Sequence, residues 1–136
     1  MQKLMTVSAT SRGGRDGRVA LDNGGAAFAM SLPKEMGGSG DGMNPEQLFA
    51  MGWASCFGQA VLALGKKHDV DGSRARVTVE VSLSKDDISF MLGVKITVSV
   101  PGADRSKVEA LAEAAHEICP YSRATRNNID VTIAVA

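Results

Sequence analysis

Two cysteines, Cys56 and Cys119, are the residues of this 136-residue chain whose types most readily suggest chemistry. Cys56 lies in a run from 48 to 64 without charged side chains, and Cys119 ends a second apolar pattern directly before Pro120. A thiol in apolar surroundings is normally inert, because desolvation raises its pKa and suppresses the thiolate. The two residues are therefore either a redox pair or two small buried side chains, since free cysteine is often buried. Periodicity does not decide, because a disulfide needs Cα atoms within about 7 Å.

A reactive Cys56 would need a positive charge nearby, because its position in the middle of a helical run gives it no help from a helix end. Arginine suits the task, since it stays charged when partly buried and donates several hydrogen bonds from a rigid fork. The pattern does not choose among the eight arginines, at 12, 15, 18, 74, 76, 105, 123 and 126. A buried arginine needs a counter-charge. Glu46 is the acid close in sequence to the apolar run, although acids are favourable at any helix start.

The run Cys119-Pro120-Tyr121-Ser122 looks like the glutaredoxin active-site tetrapeptide in its single-cysteine form. In that fold the cysteine opens a helix, whose dipole stabilises the thiolate, whereas here the cysteine ends one. The context therefore favours a resolving sulfur over a glutaredoxin-like nucleophile. His116, one turn earlier, suggests a metal site with Cys56, but with His68 at the far end of its helix too few ligands converge for closed zinc coordination.

The helices and strands that must position these residues can be read from the apolar pattern. Together they indicate a single α+β domain over residues 1–136, with mostly antiparallel strands. Alternating apolar residues predict an opening strand at 5–10, and Asn23-Gly24 marks a hairpin turn. Asn44-Pro45 starts the central helix, and Asp104 or Ser106 caps a second helix that reaches Cys119. The turn joins predicted strands at 19–21 and 28–32, and further strands are predicted at 77–83, 90–100 and 129–135.

Composition excludes several partners. Fifteen basic and fifteen acidic residues cancel without long blocks, which argues against nucleic acid or an anionic membrane as the main partner. The uncharged run from 48 to 64 is short of the roughly 20 residues of a membrane span, so it predicts a core helix. The first residues lack an apolar stretch of signal-peptide length, which predicts a cytoplasmic protein.

Four segments carry a family resemblance: 13–18 (Gly-Gly-Arg-Asp-Gly-Arg), 44–50 (Asn-Pro-Glu-Gln-Leu-Phe-Ala), 54–57 (Ala-Ser-Cys-Phe) and 114–122 with 128–131. In this order and spacing the chain resembles the organic hydroperoxide resistance proteins, the Ohr branch of the Ohr/OsmC family. Each motif alone is weak, but four in register with both cysteines in place are specific.

The resemblance implies an OsmC/Ohr-like fold with a long central helix, assembled as an intertwined homodimer with two active sites at the interface. It implies a thiol peroxidase in which Cys56 reduces organic hydroperoxides to alcohols and Cys119 resolves the oxidised Cys56 as a disulfide. Arg15 would hold the Cys56 thiolate, and Glu46 would fix Arg15 through a salt bridge. No cofactor is implied, because the reductant would be an external dithiol, a lipoylated protein or dihydrolipoamide.

Several alternatives stay open. The chain could be a stress protein of the OsmC branch with weak peroxidase activity, a non-enzymatic ligand carrier, or a redox sensor of the same fold. Ten residues of straight helix would separate the Cα atoms of Glu46 and Cys56 by about 15 Å, so the implied network needs Arg15 to reach between them or the helix to break near Gly52. If neither occurs, Glu46 has only a helix-start role. The predicted hairpin at 84–92 is more charged than the family resemblance leads us to expect.

Overall fold

The computed structural model describes all residues from 1 to 136 and groups them into two compact units, Met1–Leu48 and Phe49–Ala136. The first unit contains a three-stranded antiparallel sheet in the order β1-β2-β3. Its strands are β1 (Ala9–Arg12), β2 (Arg18–Leu21) and β3 (Ala27–Ala29). The predicted turn joins β2 to β3, where the Asn23 side chain accepts a hydrogen bond from the Gly25 N–H at 2.8 Å and Gly24 takes φ 80°.

The opening strand begins later than the sequence predicts. Residues 5–8 are not strand, and Met5 and Val7 are 76% and 73% exposed. The reason is the length of the neighbouring strand, because β2 ends at Leu21, which pairs with Ala9. The alternation before Ala9 therefore has no strand beside it in the same chain.

The second unit contains the main core, and its elements follow the sequence prediction with one addition. They are α1 (Pro45–Leu64, whose first turn belongs to the first unit), β4 (Arg76–Lys85), β5 (Phe90–Ser99), α2 (Arg105–Ile118), α3 (Pro120–Thr125) and β6 (Asp130–Val135). The sheet order is β4-β5-β6, with β4 antiparallel and β6 parallel to β5. A parallel pair needs a crossover connection, which α2 and α3 provide.

The ends of α1 and α2 have identifiable causes. Asn44 Oδ1 accepts from the Gln47 N–H, and Gln47 Oε1 accepts from the Asn44 N–H, each at 2.9 Å. This reciprocal pair, followed by Pro45, fixes the start of α1. Of the two caps predicted for α2, Asp104 and Ser106, the structure uses Asp104, whose side chain accepts from the Lys107 N–H at 3.1 Å.

One side of α1 is buried in the core of the second unit. Its buried residues are Trp53, Phe57, Ala60 and Val61. They join the apolar residues of β4, β5 and α2 in one cluster that includes Cys119. By length and composition alone α1 is apolar enough to cross a membrane, a property that the core helix of a globular domain shares.

Candidate functional site

The two cysteines lie together in the second unit. Cys119 is fully buried, Cys56 is partly buried, and both are free thiols. Their sulfurs are 3.6 Å apart, which is hydrogen-bonding distance for sulfur. α1 presents Cys56 from its middle turns, while Cys119 arrives from the far end of α2. Packing of α1 against α2 thus supplies the proximity that periodicity could not give.

Cys119 lies at a junction between two helices, which corrects the sequence prediction that it only ends one. Its backbone is extended, with φ −60° and ψ 124°, so that it closes α2 and precedes α3. Its N–H donates to the Ala115 carbonyl and its carbonyl accepts from the Arg123 N–H, both at 2.9 Å. The argument against a glutaredoxin-like arrangement from helix position alone is therefore wrong. The Cys119 side chain does not cap α3, and its sulfur faces Cys56 instead.

The surroundings of Cys56 disfavour its thiolate overall. Burial raises the pKa of the Cys56 thiol, the backbone N–H of Tyr121 acts in the opposite direction through a hydrogen bond, and the adjacent Cys119 raises the pKa further. A thiol with a raised pKa is mostly protonated at neutral pH, and the protonated form is a poor nucleophile. The two sulfurs are therefore close together, but their shared surroundings do not activate Cys56 as a nucleophile.

Tyr121 is a residue that the sequence interpretation did not assign to the site. Its ring lies 6.1 Å from the ring of Phe49 and 6.3 Å from that of Trp53, centroid to centroid. α1 passes through Gly52 without a break, so the alternative of a helix break there is wrong. Gly52 instead leaves space for the phenol, because a Cβ at this position would lie 2.7 Å from Tyr121 Oη. The only sequence signals were a glycine in an apolar helix and a tyrosine directly after Cys119-Pro120.

The first unit contains an ion pair between Arg15 and Glu46. Arg15 Nη1 donates to Glu46 Oε2 at 2.8 Å and Nη2 donates to Oε1 at 2.6 Å, a bidentate arrangement. The hydrogen bonds from Arg15 hold the pKa of the Glu46 carboxyl below its usual range, and Glu46 in turn raises the pKa of Arg15. The side chains are 38% and 17% exposed, respectively. Arg15 is therefore a positive charge held in one orientation, and the Glu46 carboxylate that holds it is largely shielded from water.

A tight connection between β1 and β2 presents Arg15. Residues 14–16 form one turn of 3-10 helix, and Gly13 takes φ 79°. Gly17 closes the turn against the other strand, since a Cβ there would lie 1.8 Å from the Arg12 carbonyl oxygen. Glu46 lies in the first turn of α1, directly after the capped start.

His116 packs beside Phe57 on α1. Its ring is 6.5 Å from that of Phe57, and its buried Nδ1 has no hydrogen-bond partner. Burial lowers the pKa of His116 and Arg126 lowers it further, against weaker opposite effects of Glu113 and Glu117. No group of three or more His, Cys, Asp or Glu side chains is arranged to hold a metal ion.

The charged hairpin between β4 and β5 has a structural explanation. Asp86 Oδ1 accepts hydrogen bonds from the N–H groups of Ile88 and Ser89 at 2.8 and 2.9 Å. The turn leaves Ile88 93% and Phe90 59% exposed. An open surface cavity of about 390 Å³ lies at this end of the sheet, lined by Leu83, Phe90, Met91, Leu92, Asn128, Ile129 and Asp130.

Comparison with known proteins places these features in a family context. A family model described as OsmC-like protein matches residues 38–134. The chain is 42% identical over 132 residues to the organic hydroperoxide resistance protein OhrB of Bacillus subtilis (strain 168), covering 96% of each. It is 40% identical over 136 residues to the organic hydroperoxide resistance protein of Xanthomonas axonopodis pv. citri (strain 306), covering 98% of this chain and 95% of the relative. A crystal structure of an organic hydroperoxide resistance protein from Legionella pneumophila superposes with a TM-score of 0.92 at 38% identity, covering 99% of both chains.

Proposed function

The chain belongs to the OsmC-like family and, within it, to the organic hydroperoxide resistance proteins, and from this premise we propose that it is a cysteine-dependent peroxidase. Its substrates are organic hydroperoxides of alkyl or lipid-like character, which it reduces to alcohols. The observation that carries the proposal is the 3.6 Å separation of the Cys56 and Cys119 sulfurs. Two thiols with no shared chemistry would not need to face each other.

The reaction follows from the different surroundings of the two sulfurs. The Cys56 thiolate attacks the distal oxygen of the hydroperoxide, the O–O bond breaks, and the departing alkoxide takes a proton to leave as the alcohol. Cys56 is then a sulfenic acid. The Cys119 thiol condenses with it, forming the S–S bond and releasing water, which protects Cys56 from further oxidation. An external dithiol returns both sulfurs to thiols by exchange, so that no resident cofactor is needed.

In this proposal Arg15 supplies the charge that the cysteine pair lacks. A guanidinium beside Cys56 would lower the thiol pKa and stabilise the negative charge that develops on the leaving oxygen. Glu46 is a positioning residue, whose two hydrogen bonds keep Arg15 in one orientation. The bidentate geometry of the Arg15–Glu46 pair supports the positioning role of Glu46.

The proposal also covers assembly, reductant and cell compartment. We assign the chain, as one OsmC/Ohr-like domain, to an intertwined homodimer, because the single chain leaves many large apolar side chains exposed. They include Leu4, Met5, Val7, Phe28, Met51, Leu62 and Ile118. The reductant is a lipoylated protein or dihydrolipoamide. A dithiol-reduced cysteine pair belongs in a reducing compartment such as the cytoplasm.

A count of thiols and an intact mass, before and after one equivalent of an organic hydroperoxide, test the proposal. The expected result is loss of both thiols with a mass decrease of about 2 Da, reversed by dihydrolipoamide, as sulfenic-acid condensation predicts. Continuous peroxide consumption with dihydrolipoamide separates the enzyme from a ligand carrier and from a sensor that oxidises only once. If both thiols survive in the native protein, the peroxidase assignment fails.

A further inference from the structure

Two arginines without an ion-pair partner flank the turn that presents Arg15. In the antiparallel pairing of β1 and β2, Arg12 lies directly opposite Arg18, in the last pair before the turn, and both residues are exposed. Directly opposite residues project from the same face of a sheet with their Cβ atoms about 4.5–5.5 Å apart, and like charges in such a pair are destabilising. The hairpin is therefore less stable than it would be with a neutral side chain at either position.

The acids nearest in sequence do not neutralise this pair. Arg15 is the arginine of this hairpin that forms an ion pair, and its partner is Glu46. Asp16 lies in the turn, but neither Arg12 nor Arg18 forms an ion pair with it or with any other acid. Guanidinium groups donate parallel hydrogen bonds that match a carboxylate or a phosphate. Two of them side by side without a counter-charge are therefore suited to bind such an anion.

The neighbouring strand positions supply no negative charge either. On β3 the residue opposite Arg18 is Ala29. Asp22 follows the other end of β2, where it accepts a hydrogen bond from the Thr10 hydroxyl at 2.7 Å. The carboxylate on this sheet is therefore already engaged, at the end of β2 that lies away from Arg18.

The turn holds the two arginines in a fixed relation to Arg15. Residues 14–16 form one turn of 3-10 helix. A Cβ at Gly17 would lie 1.8 Å from the Arg12 carbonyl oxygen, so the two ends of the turn are in close contact. Arg12 and Arg18 thus border, on either side, the short segment that carries the guanidinium of Arg15.

We propose, building on the proposed peroxidase function, that Arg12 and Arg18 bind an anionic group of the substrate. The preferred substrates are then organic hydroperoxides that carry a carboxylate or a phosphate. Arg15, held by Glu46, acts at the peroxide group, and the Arg12–Arg18 pair holds the charged end of the same molecule. Binding replaces the repulsion between two like charges with the attraction of both to one anion.

The test compares a hydroperoxide of a medium-chain carboxylic acid with its methyl ester, which lacks the charge. The double variant Arg12→Gln/Arg18→Gln removes both positive charges and keeps long polar side chains. Contributions typical of two exposed ion pairs correspond to about a tenfold change in affinity. We expect the ratio of kcat/KM for the acid to that for the ester to fall about tenfold in the double variant, mainly through KM. In the wild type this ratio should also fall as the salt concentration rises.

Arg76→Gln is the matched control, because Arg76 is an exposed strand arginine that lies opposite Ser99 and forms no ion pair. It should keep the wild-type ratio. Urea unfolding of the double variant tests for general damage. Removal of the like-charge pair should leave that variant at least as stable as the wild type, and a clear loss of stability would overturn the inference.

Binding without turnover keeps this inference distinct from the peroxidase proposal. Octanoate, octyl phosphate and the neutral octanol are compared by thermal unfolding, since a ligand that binds the folded protein raises its Tm. We expect a rise with one or both anions that octanol does not give and that the double variant lacks, and the larger rise identifies carboxylate or phosphate as the preferred group. The same rise in a wild-type protein that consumes no hydroperoxide would refute the peroxidase proposal and retain the anion site.

Three results would overturn the anion site in an active protein. The first is an acid-to-ester ratio that is the same in the wild type and the double variant. The second is an equal fall of this ratio in Arg76→Gln. The third is a loss in the double variant that follows the concentration of the dithiol and not that of the hydroperoxide, because the pair would then act on the reductant.

Discussion

Replacement of Glu46 by glutamine tests the proposal that Glu46 acts in catalysis only by positioning Arg15. Glutamine keeps the shape and one acceptor but removes the charge and one of the two hydrogen bonds that hold Arg15 at 2.6 and 2.8 Å. If Glu46 only positions Arg15, the loss in Glu46→Gln should disappear once Arg15 is already alanine. A double-mutant cycle measures this coupling directly.

The expected size of the effect follows from the exposure of the pair. Fully exposed ion pairs contribute roughly 0.2–1 kcal/mol, whereas hydrogen bonds to buried charged groups reach about 1.5–3 kcal/mol. Arg15 is 38% and Glu46 17% exposed, so solvent screening discounts the upper range to about 1 kcal/mol. That free energy corresponds to about a fivefold lower population of correctly held Arg15. We therefore expect kcat/KM to fall about fivefold in Glu46→Gln, about a hundredfold in Arg15→Ala by analogy with loss of one charge-stabilising donor, and no further in the double variant.

The assay is organic hydroperoxide consumption with dihydrolipoamide at pH 7. Since the folded pKa of Glu46 is lowered from 4.5, the pair is fully formed above that pH and is lost only as the pH falls through the lowered value. Neutral pH thus measures the complete interaction. Glu35→Gln, an exposed acid in the same unit, is the matched control and should keep wild-type activity. A double variant about fivefold slower than Arg15→Ala, or a fully active Glu46→Gln, would refute the reasoning.

Three further outcomes follow from the second unit. Cys56→Ser should abolish turnover, while Cys119→Ser should consume one equivalent of hydroperoxide and accumulate oxidised Cys56, both visible by intact mass; multiple turnovers by Cys119→Ser would contradict a resolving role. Ser122→Ala leaves the buried Trp53 Nε1–H without its partner and should lower the free energy of unfolding by about 1–3 kcal/mol in urea, a loss that Ser122→Thr should partly avoid. The pKa of His116 in the folded protein is lowered from 6.5, so the unfolded chain binds a proton first as the pH falls, and the free energy of unfolding should decrease below that pH. His116→Gln should reduce the pH dependence of this free energy. An unchanged dependence in His116→Gln would exclude His116 as its origin.

The sequence predicted elements whose signals are local. Alternation over 77–83 and 90–100 located β4 and β5, and the caps predicted at Asn44-Pro45 and at Asp104 or Ser106 located the starts of α1 and α2. Residues 5–8 alternate equally well but form no strand, because pairing depends on how far β2 extends. The six residues of α3 are too few for helical periodicity to appear.

In the candidate site, too, local signals could be predicted and tertiary packing could not. Residue type marked Cys56 and Cys119 as the chemical groups, but their 3.6 Å sulfur separation comes from the packing of α1 on α2 across 63 positions. The family resemblance, and not spacing, selected Arg15 among eight arginines. The close contact between the Tyr121 phenol and Gly52 could not be predicted. A glycine in a helix indicates a close neighbour only when the group that lies against it is known.

The separation of the two cysteines along the chain also sets how strongly a disulfide between them would stabilise the folded protein. A bond between their sulfurs would close a stretch of 63 positions that contains β4 and β5. In the chain-entropy account a loop of this length destabilises the unfolded chain by about 4 kcal/mol. The rate of proteolysis of a transiently unfolded protein depends on the fraction of molecules that are unfolded. The oxidised protein would therefore resist degradation better than the reduced one. If the proposed peroxidase cycle operates, exposure to peroxide would lengthen the lifetime of the oxidised molecules, and their rate of loss would rise again once reductant returns.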